Sequence, residues 1–211
     1  MHLTLSKRLL KQPIALLITL AFIILVALLG PTEKTLGSSL RLIFVHAACV
    51  WTGKVGFGLA AVTGLLALIF HKQERWVQLS RSLAYNALFF WLTYLPISLV
   101  VMQVSWGGFF FDEPRWRIPF LLGIIAALLQ TGLWLFNYDR LTAIGNLLFG
   151  IALWCQLGSV DNILHPKNPI AQSGSSTIMG SYTLILILTL LLGAQITLWI
   201  YEQRHPIRKN A

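Results

Sequence analysis

The sequence predicts an all-α integral membrane protein with six transmembrane helices and both termini on the cytoplasmic side. Three observations carry this reading. The 211 residues are 56% hydrophobic and only 11% charged, whereas a soluble domain holds about a quarter charged residues. Too few charges remain to cover a globular surface in water, and the mean hydropathy of +0.73 agrees. The apolar residues gather in six long runs, and the basic residues cluster between those runs, more heavily on one side.

The first run, residues 13–30, follows Lys7, Arg8 and Lys11 and closes on Gly30-Pro31. It is long enough to span as a helix. No small-residue cleavage site follows it, so it reads as an uncleaved first helix and not as a signal peptide. The second run, residues 40–70, exceeds the ~30 Å hydrocarbon core at ~1.5 Å per residue. Its first turns are therefore expected in the outer headgroup region, with Trp51 as an interface anchor. The third run, 83–104, carries Pro96 as an expected kink. The fourth, fifth and sixth cover residues 118–136, 141–157 and 178–201. None shows the strict alternation of a barrel strand, so helices are the expected spans. The chain reads as a single transmembrane domain over residues 1–211.

Six helices put both ends on one side. If that side is the cytoplasm, the inner regions hold Lys7, Arg8, Lys11, Lys72, Arg75, Arg81, Arg140, Arg204, Arg208 and Lys209. The outer loops hold half as many: Lys34, Arg41, Arg115, Arg117 and Lys167. Basic residues favour cytoplasmic loops, so the bias predicts a multi-pass protein of the inner (cytoplasmic) membrane with N-in and C-in orientation. The same clusters account for the net charge of +9 without a nucleic-acid partner. No Walker motif or large soluble loop is present, so the chain is not expected to hydrolyse ATP by itself. Cys49 and Cys155 both lie in apolar runs with no C-x-x-C spacing, which points to buried structural thiols and away from zinc or redox roles.

Candidate chemistry gathers on the expected outer face. His46 tops the second helix, His165 precedes the sixth, and between them in sequence lies the loop from Ser105 to Arg117, which carries Trp106, Phe109, Phe110, Phe111 and Trp116. Taken singly, an interfacial histidine serves to bond a headgroup or the backbone, and aromatic residues at helix ends form the ordinary interfacial belt. Taken together, two neutral imidazoles can hold haem iron axially. An aromatic loop offers a surface for a flat porphyrin, and Arg115 and Arg117 offer cations for propionates. Lys54, two turns beyond His46, is shallow enough either to snorkel outward or to meet a propionate. Gly56, Ala60 and Gly64 form a ladder of small residues for close helix packing. Asn86, Gln103, Gln130 and Gln156 are expected in interhelical hydrogen bonds. His2, His71 and His205 fall on the inner side and receive no role.

At these residues the sequence resembles the CcmC-type haem-handling proteins of cytochrome c maturation, within the wider CcmC/CcmF/CcsA group. His46-Ala47-Ala48-Cys49-Val50-Trp51 keeps the histidine and tryptophan of that family's first histidine pattern. Trp106-Gly107-Gly108-Phe109-Phe110-Phe111-Asp112-Glu113-Pro114-Arg115 aligns without a gap to its tryptophan-rich loop. There Trp106, Gly107 and Arg115 match, and Phe110 stands in place of a tryptophan. Leu164-His165 matches the pair before the last helix. The resemblance covers about residues 40–201. It implies a non-enzymatic protein that binds b-type haem transiently and presents it on the outer face for cytochrome c maturation. His46 and His165 would ligate iron, while Trp51, Trp106, Phe110, Arg115 and Lys54 would contact the cofactor. It also implies two partners, an ABC-type haem export complex and a periplasmic haem chaperone. Three alternatives stay open: a cytochrome b-like redox anchor, a small-solute permease subunit, and a structural subunit whose loop docks a partner. A permease needs polar groups near the midplane, and the helices offer few.

Overall fold

A computed structural model of the chain describes residues 2–159, 163–164 and 169–204, with side chains from residue 12 onward. Six helices follow one another: α1 (His2–Leu29), α2 (Ser39–Ile69), α3 (Glu74–Trp106), α4 (Pro114–Phe136), α5 (Asp139–Gly158) and α6 (Ser176–Arg204). All six are long and apolar enough to cross a membrane. In lipid the backbone has no water to bond, and helices satisfy every N–H and C=O internally. The protein is an all-α, six-span, multi-pass membrane protein. Successive spans alternate in direction, so the α1–α2, α3–α4 and α5–α6 connections share one face, called here the loop face. The termini share the other face with the short α2–α3 and α4–α5 turns.

Every expected span is present, and α3 departs most from its expected limits. It begins at Glu74, about two turns before the apolar run. Those extra turns carry Arg81, which hydropathy alone excludes from a span. The structure accommodates it by pairing: Arg81 donates to Asp139 and to Thr142, each at 3.2 Å. Glu74 lies in the first turn, where a negative charge suits the helix dipole. The helix continues through Pro96 and ends on Gly107, whose φ of 73° is left-handed and suits a residue without a Cβ.

Helix α2 lies at the centre and packs against α3, α5, α6 and α1, while α4 closes against α3 and α5. Small residues permit this. A Cβ added at Gly56 would stand 2.9 Å from the Ala87 Cβ, and one at Gly64 would stand 2.7 Å from the Ala143 carbonyl oxygen. The expected small-residue ladder is thus where α2 meets α3 and α5. One turn beyond the Gly56 contact, against Gly53, Trp91 is fully buried. Its indole N–H donates to the Pro119 carbonyl at 3.0 Å, and its ring meets Phe57 and Tyr94 edge-on.

A buried polar chain ties four helices together. Gln130 donates to Asn146, Asn146 donates to Ser80, and Ser80 donates to the Ala60 carbonyl, at 2.9, 2.9 and 2.8 Å. Of the amides expected to bridge helices, Gln130 does so. Gln103 and Gln156 are instead exposed, and the buried Asn86 carbonyl oxygen has no partner among the described residues. The thiols divide as well. Cys49 is buried as expected, but Cys155 is exposed. The apolar run that holds Cys155 has a lipid-facing side, and sequence hydropathy cannot separate that side from the core.

Candidate functional site

His46 sits two turns into α2, half-buried. Its ring meets Tyr94 of α3 edge-on at 5.7 Å, and Tyr94 in turn packs edge-on against Trp91. This aromatic stack anchors the imidazole to the most buried part of the core. Tyr94 carries no distinctive motif, and its partnership with His46 is absent from the sequence reading. The sequence signal for it is only that both lie near the loop-face ends of neighbouring spans.

Lys54 is half-buried and is held between two aromatic rings. Its ammonium lies 4.8 Å from the centroid of the Trp51 ring and 4.3 Å from that of Trp154. The Trp154 indole N–H donates to the Lys54 carbonyl at 3.1 Å, which fixes the second ring beside α2. Ring faces are electronegative and hold a partly desolvated cation. Arg115 lies within electrostatic reach of Lys54. Lys54 and Trp51, both expected at the site, are therefore neighbours, and Trp154 joins them.

The α3–α4 connection is an aromatic cluster. Trp106 meets Phe110 edge-on at 6.0 Å, and the Phe110 amide N–H points at the Met102 sulfur at 2.9 Å. Phe109 stacks on Phe111, Phe111 meets Trp116 edge-on, and Trp116 stacks on Phe120. Phe109, Phe110 and Phe111 all remain exposed, so the cluster presents an apolar surface instead of filling the core. Asp112 is fully exposed and forms a long, 4.0 Å ion pair with Arg117, an arrangement that contributes little in solvent.

Glu113 behaves differently, and the sequence reading gave it no role. It caps α4 from outside, and its carbonyl accepts from Trp116 and Arg117 at 2.9 Å each. Its side chain is buried, with the residue only 4% exposed. One carboxylate oxygen accepts the Leu164 amide N–H at 3.0 Å across 51 positions of sequence. The aromatic loop is thereby joined to the segment before α6. His165, the expected second ligand, follows Leu164 and lies outside the described residues, as does His205, and of His2 only the backbone is described. His71 is exposed.

Haem would need a flat apolar surface, cations for two propionates and one or two imidazoles. The exposed aromatic cluster, the Lys54 and Arg115 cations and His46 are groups of those kinds. Among the described residues, no three His, Cys, Asp or Glu side chains gather as a metal site. A porphyrin supplies four iron ligands itself, so an iron within it requires no such group.

The opposite face holds a crevice of about 560 Å³ lined by Glu74, Gln78, Arg81, Asn137, Tyr138, Asp139 and Arg204. Its charges answer to local structure. The acids stand in the first turns of α3 and α5, and Arg204 stands in the last turn of α6, each matching its helix dipole. The candidate site is therefore placed at the loop face.

No protein-family model, curated protein or solved structure matches the chain.

Proposed function

We propose that this protein holds haem at the loop face of the membrane and presents it for cytochrome c maturation, as its resemblance to the CcmC-type proteins implies. In this reading the loop face is the outer face of the inner membrane and both termini are cytoplasmic. The partners are an ABC-type haem export complex and a periplasmic haem chaperone. No substrate bond is broken, so the protein is not an enzyme.

The observation that supports the reading most is the Glu113–Leu164 bond. It draws the residue preceding His165 against the loop that carries Trp106, Phe110 and Arg115, so elements distant in sequence converge on one face. Bound haem would supply a redox-active iron open to protein ligands, and two propionates. His46 and His165 would hold the iron, Trp106 and Phe110 would line the porphyrin, and Arg115 and Lys54 would pair with the propionates. The aromatic cluster would also shed water from the ring face.

The test is haem titration of the detergent-purified protein with absorption spectroscopy. His46→Ala and His165→Ala should each lower affinity and shift the spectrum toward five-coordinate or water-ligated iron. Free imidazole should partly restore each single variant, and the double variant should lose specific binding. Wild-type spectra in both single variants would remove the chemical basis of the assignment.

A second reading, a small-solute permease, draws support from one grouping. A Cβ added at Gly193 would meet Thr52 at 2.9 Å and Asn86 at 3.3 Å. Thr52 and Asn86 thus bring buried side-chain oxygens, unpartnered among the described residues, to the interior of the bundle beside Gly193. Solute flux in proteoliposomes that Asn86→Leu abolishes, without haem binding by the wild type, would favour it.

A further inference from the structure

We propose that the crevice on the face of the termini binds a phosphoethanolamine group, supplied by a phosphatidylethanolamine lipid of the adjoining leaflet. Haem plays no part in this site. The crevice measures about 560 Å³, within the ~300–1,000 Å³ range of small-ligand sites. Helix dipoles account for where its charges stand, but not for their incomplete pairing. Arg81 pairs with Asp139 at 3.2 Å. Arg204 and Glu74 line the same crevice, and neither has an ion-pair partner among the described residues.

The two guanidinium groups make the anion end. Arg81 is only 6% exposed and is fixed by its bonds to Gln78, Asp139 and Thr142. A guanidinium has N–H donors beyond those three. Arg204 lies over the Tyr85 ring at 4.7 Å, which occupies its flat face and leaves its in-plane N–H groups to meet a phosphate. The carboxylates of Glu74 and Asp139, with the side-chain oxygens of Asn137 and Tyr138, make the cation end. They are acceptors, and a primary ammonium brings three N–H donors to them. A quaternary choline brings none, a glycerol headgroup brings no cation, and a serine headgroup adds a carboxylate against Glu74 and Asp139. A lipid is the favoured source because the lining sits in the first turns of α3 and α5 and the last turn of α6. Those are span ends, where headgroups lie.

The test is native mass spectrometry of the full-length protein released from nanodiscs that hold equal parts of the ethanolamine, choline and glycerol phospholipids with the same acyl chains. Wild type should retain the ethanolamine lipid about tenfold over the other two, as expected of one charge-assisted bond. Glu74 and Arg204 are exposed, so their variants should fold. Arg204→Gln should weaken retention of the ethanolamine and glycerol lipids alike. Glu74→Gln should weaken only the ethanolamine lipid. Arg75→Gln is the control: Arg75 is exposed on the same end of α3 and outside the crevice, and its loss should change nothing. Soluble glycerophosphoethanolamine should displace the lipid only in large excess. Displacement at equal concentration would assign the site to the free compound and overturn the lipid as its occupant. Equal retention of the three lipids, wild-type retention in both crevice variants, or an equal loss in Arg75→Gln would overturn the site itself.

Discussion

Replacing Asn146 with leucine tests whether the buried polar chain holds the bundle together. The two side chains are close in size, so the change removes hydrogen bonds without opening a large cavity. Asn146 and Gln130 are each 2% exposed, and Ser80 is fully buried, so water cannot replace what is lost. Two interhelical bonds of 2.9 Å disappear. Such bonds contribute on average about 0.6 kcal/mol each within a membrane. Ser80 keeps its bond to the Ala60 carbonyl. Gln130 fares worse, because its carbonyl oxygen already has no partner among the described residues and its NH₂ group would lose the one it has. An orphaned buried donor costs about 1–3 kcal/mol. The total is about 2–4 kcal/mol for Asn146→Leu. Adding Gln130→Leu removes the orphan and should recover about 1 kcal/mol. Reversible unfolding in mixed SDS micelles, followed by tryptophan fluorescence, reads both numbers. A single variant within about 0.5 kcal/mol of wild type, or a double variant less stable than the single, would refute the reasoning.

Other expected outcomes follow from particular contacts. Gly150→Ala should destabilise despite alanine's higher helix propensity: the new methyl would stand 2.5 Å from the Ala61 Cβ and 2.7 Å from the Phe57 carbonyl, and overpacking costs about 1–3 kcal/mol. Gly132→Ala meets nothing within 4 Å and should be neutral or stabilising, and the same unfolding assay compares the pair. Arg115→Ala should weaken haem binding by about one to two decades, as expected for loss of a charge-assisted bond, without moving the absorption maxima. A moved maximum would mean that the loop touches the iron. In the α1–α2 loop, the Leu36 and Thr35 amides bond Glu33 and hold its carboxyl below the usual carboxylate range. The turn's contribution is therefore complete above the ordinary glutamate value of ~4.3 and is lost as pH falls through the depressed folded value. An NMR titration of that carboxyl should show a midpoint below that of an unstructured glutamate, and a midpoint at or above it counts against this account.

The six spans are legible in the sequence because lipid imposes a single, local requirement: an apolar run long enough to cross as a helix. Gly30-Pro31, the basic turn around Lys72 and Arg75, and Gly107 mark breaks that any chain would make there. The small-residue ladder of Gly56, Ala60 and Gly64 is legible for a related reason, since in lipid only small side chains allow backbones to approach. What hydropathy cannot give is which side of an apolar helix faces protein. Cys49 and Cys155 sit in equally apolar runs, yet one is buried and the other exposed. The start of α3 is hidden likewise, because Arg81 looks like a loop residue until Asp139 and Thr142 are seen beside it. At the candidate site, local sequence marks His46, Trp106, Phe110 and Arg115 by residue type and spacing. Tyr94 against His46, Trp154 over Lys54 and Glu113 beneath Leu164 depend on neighbours far apart in the chain. The sequence by itself determined the solvent, the number of spans and the kinds of side chain at the loop face. Only the tertiary structure decided which of them touch, because in a bilayer both sides of a helix can be apolar and contact is settled by shape and by the pairing of buried polar groups.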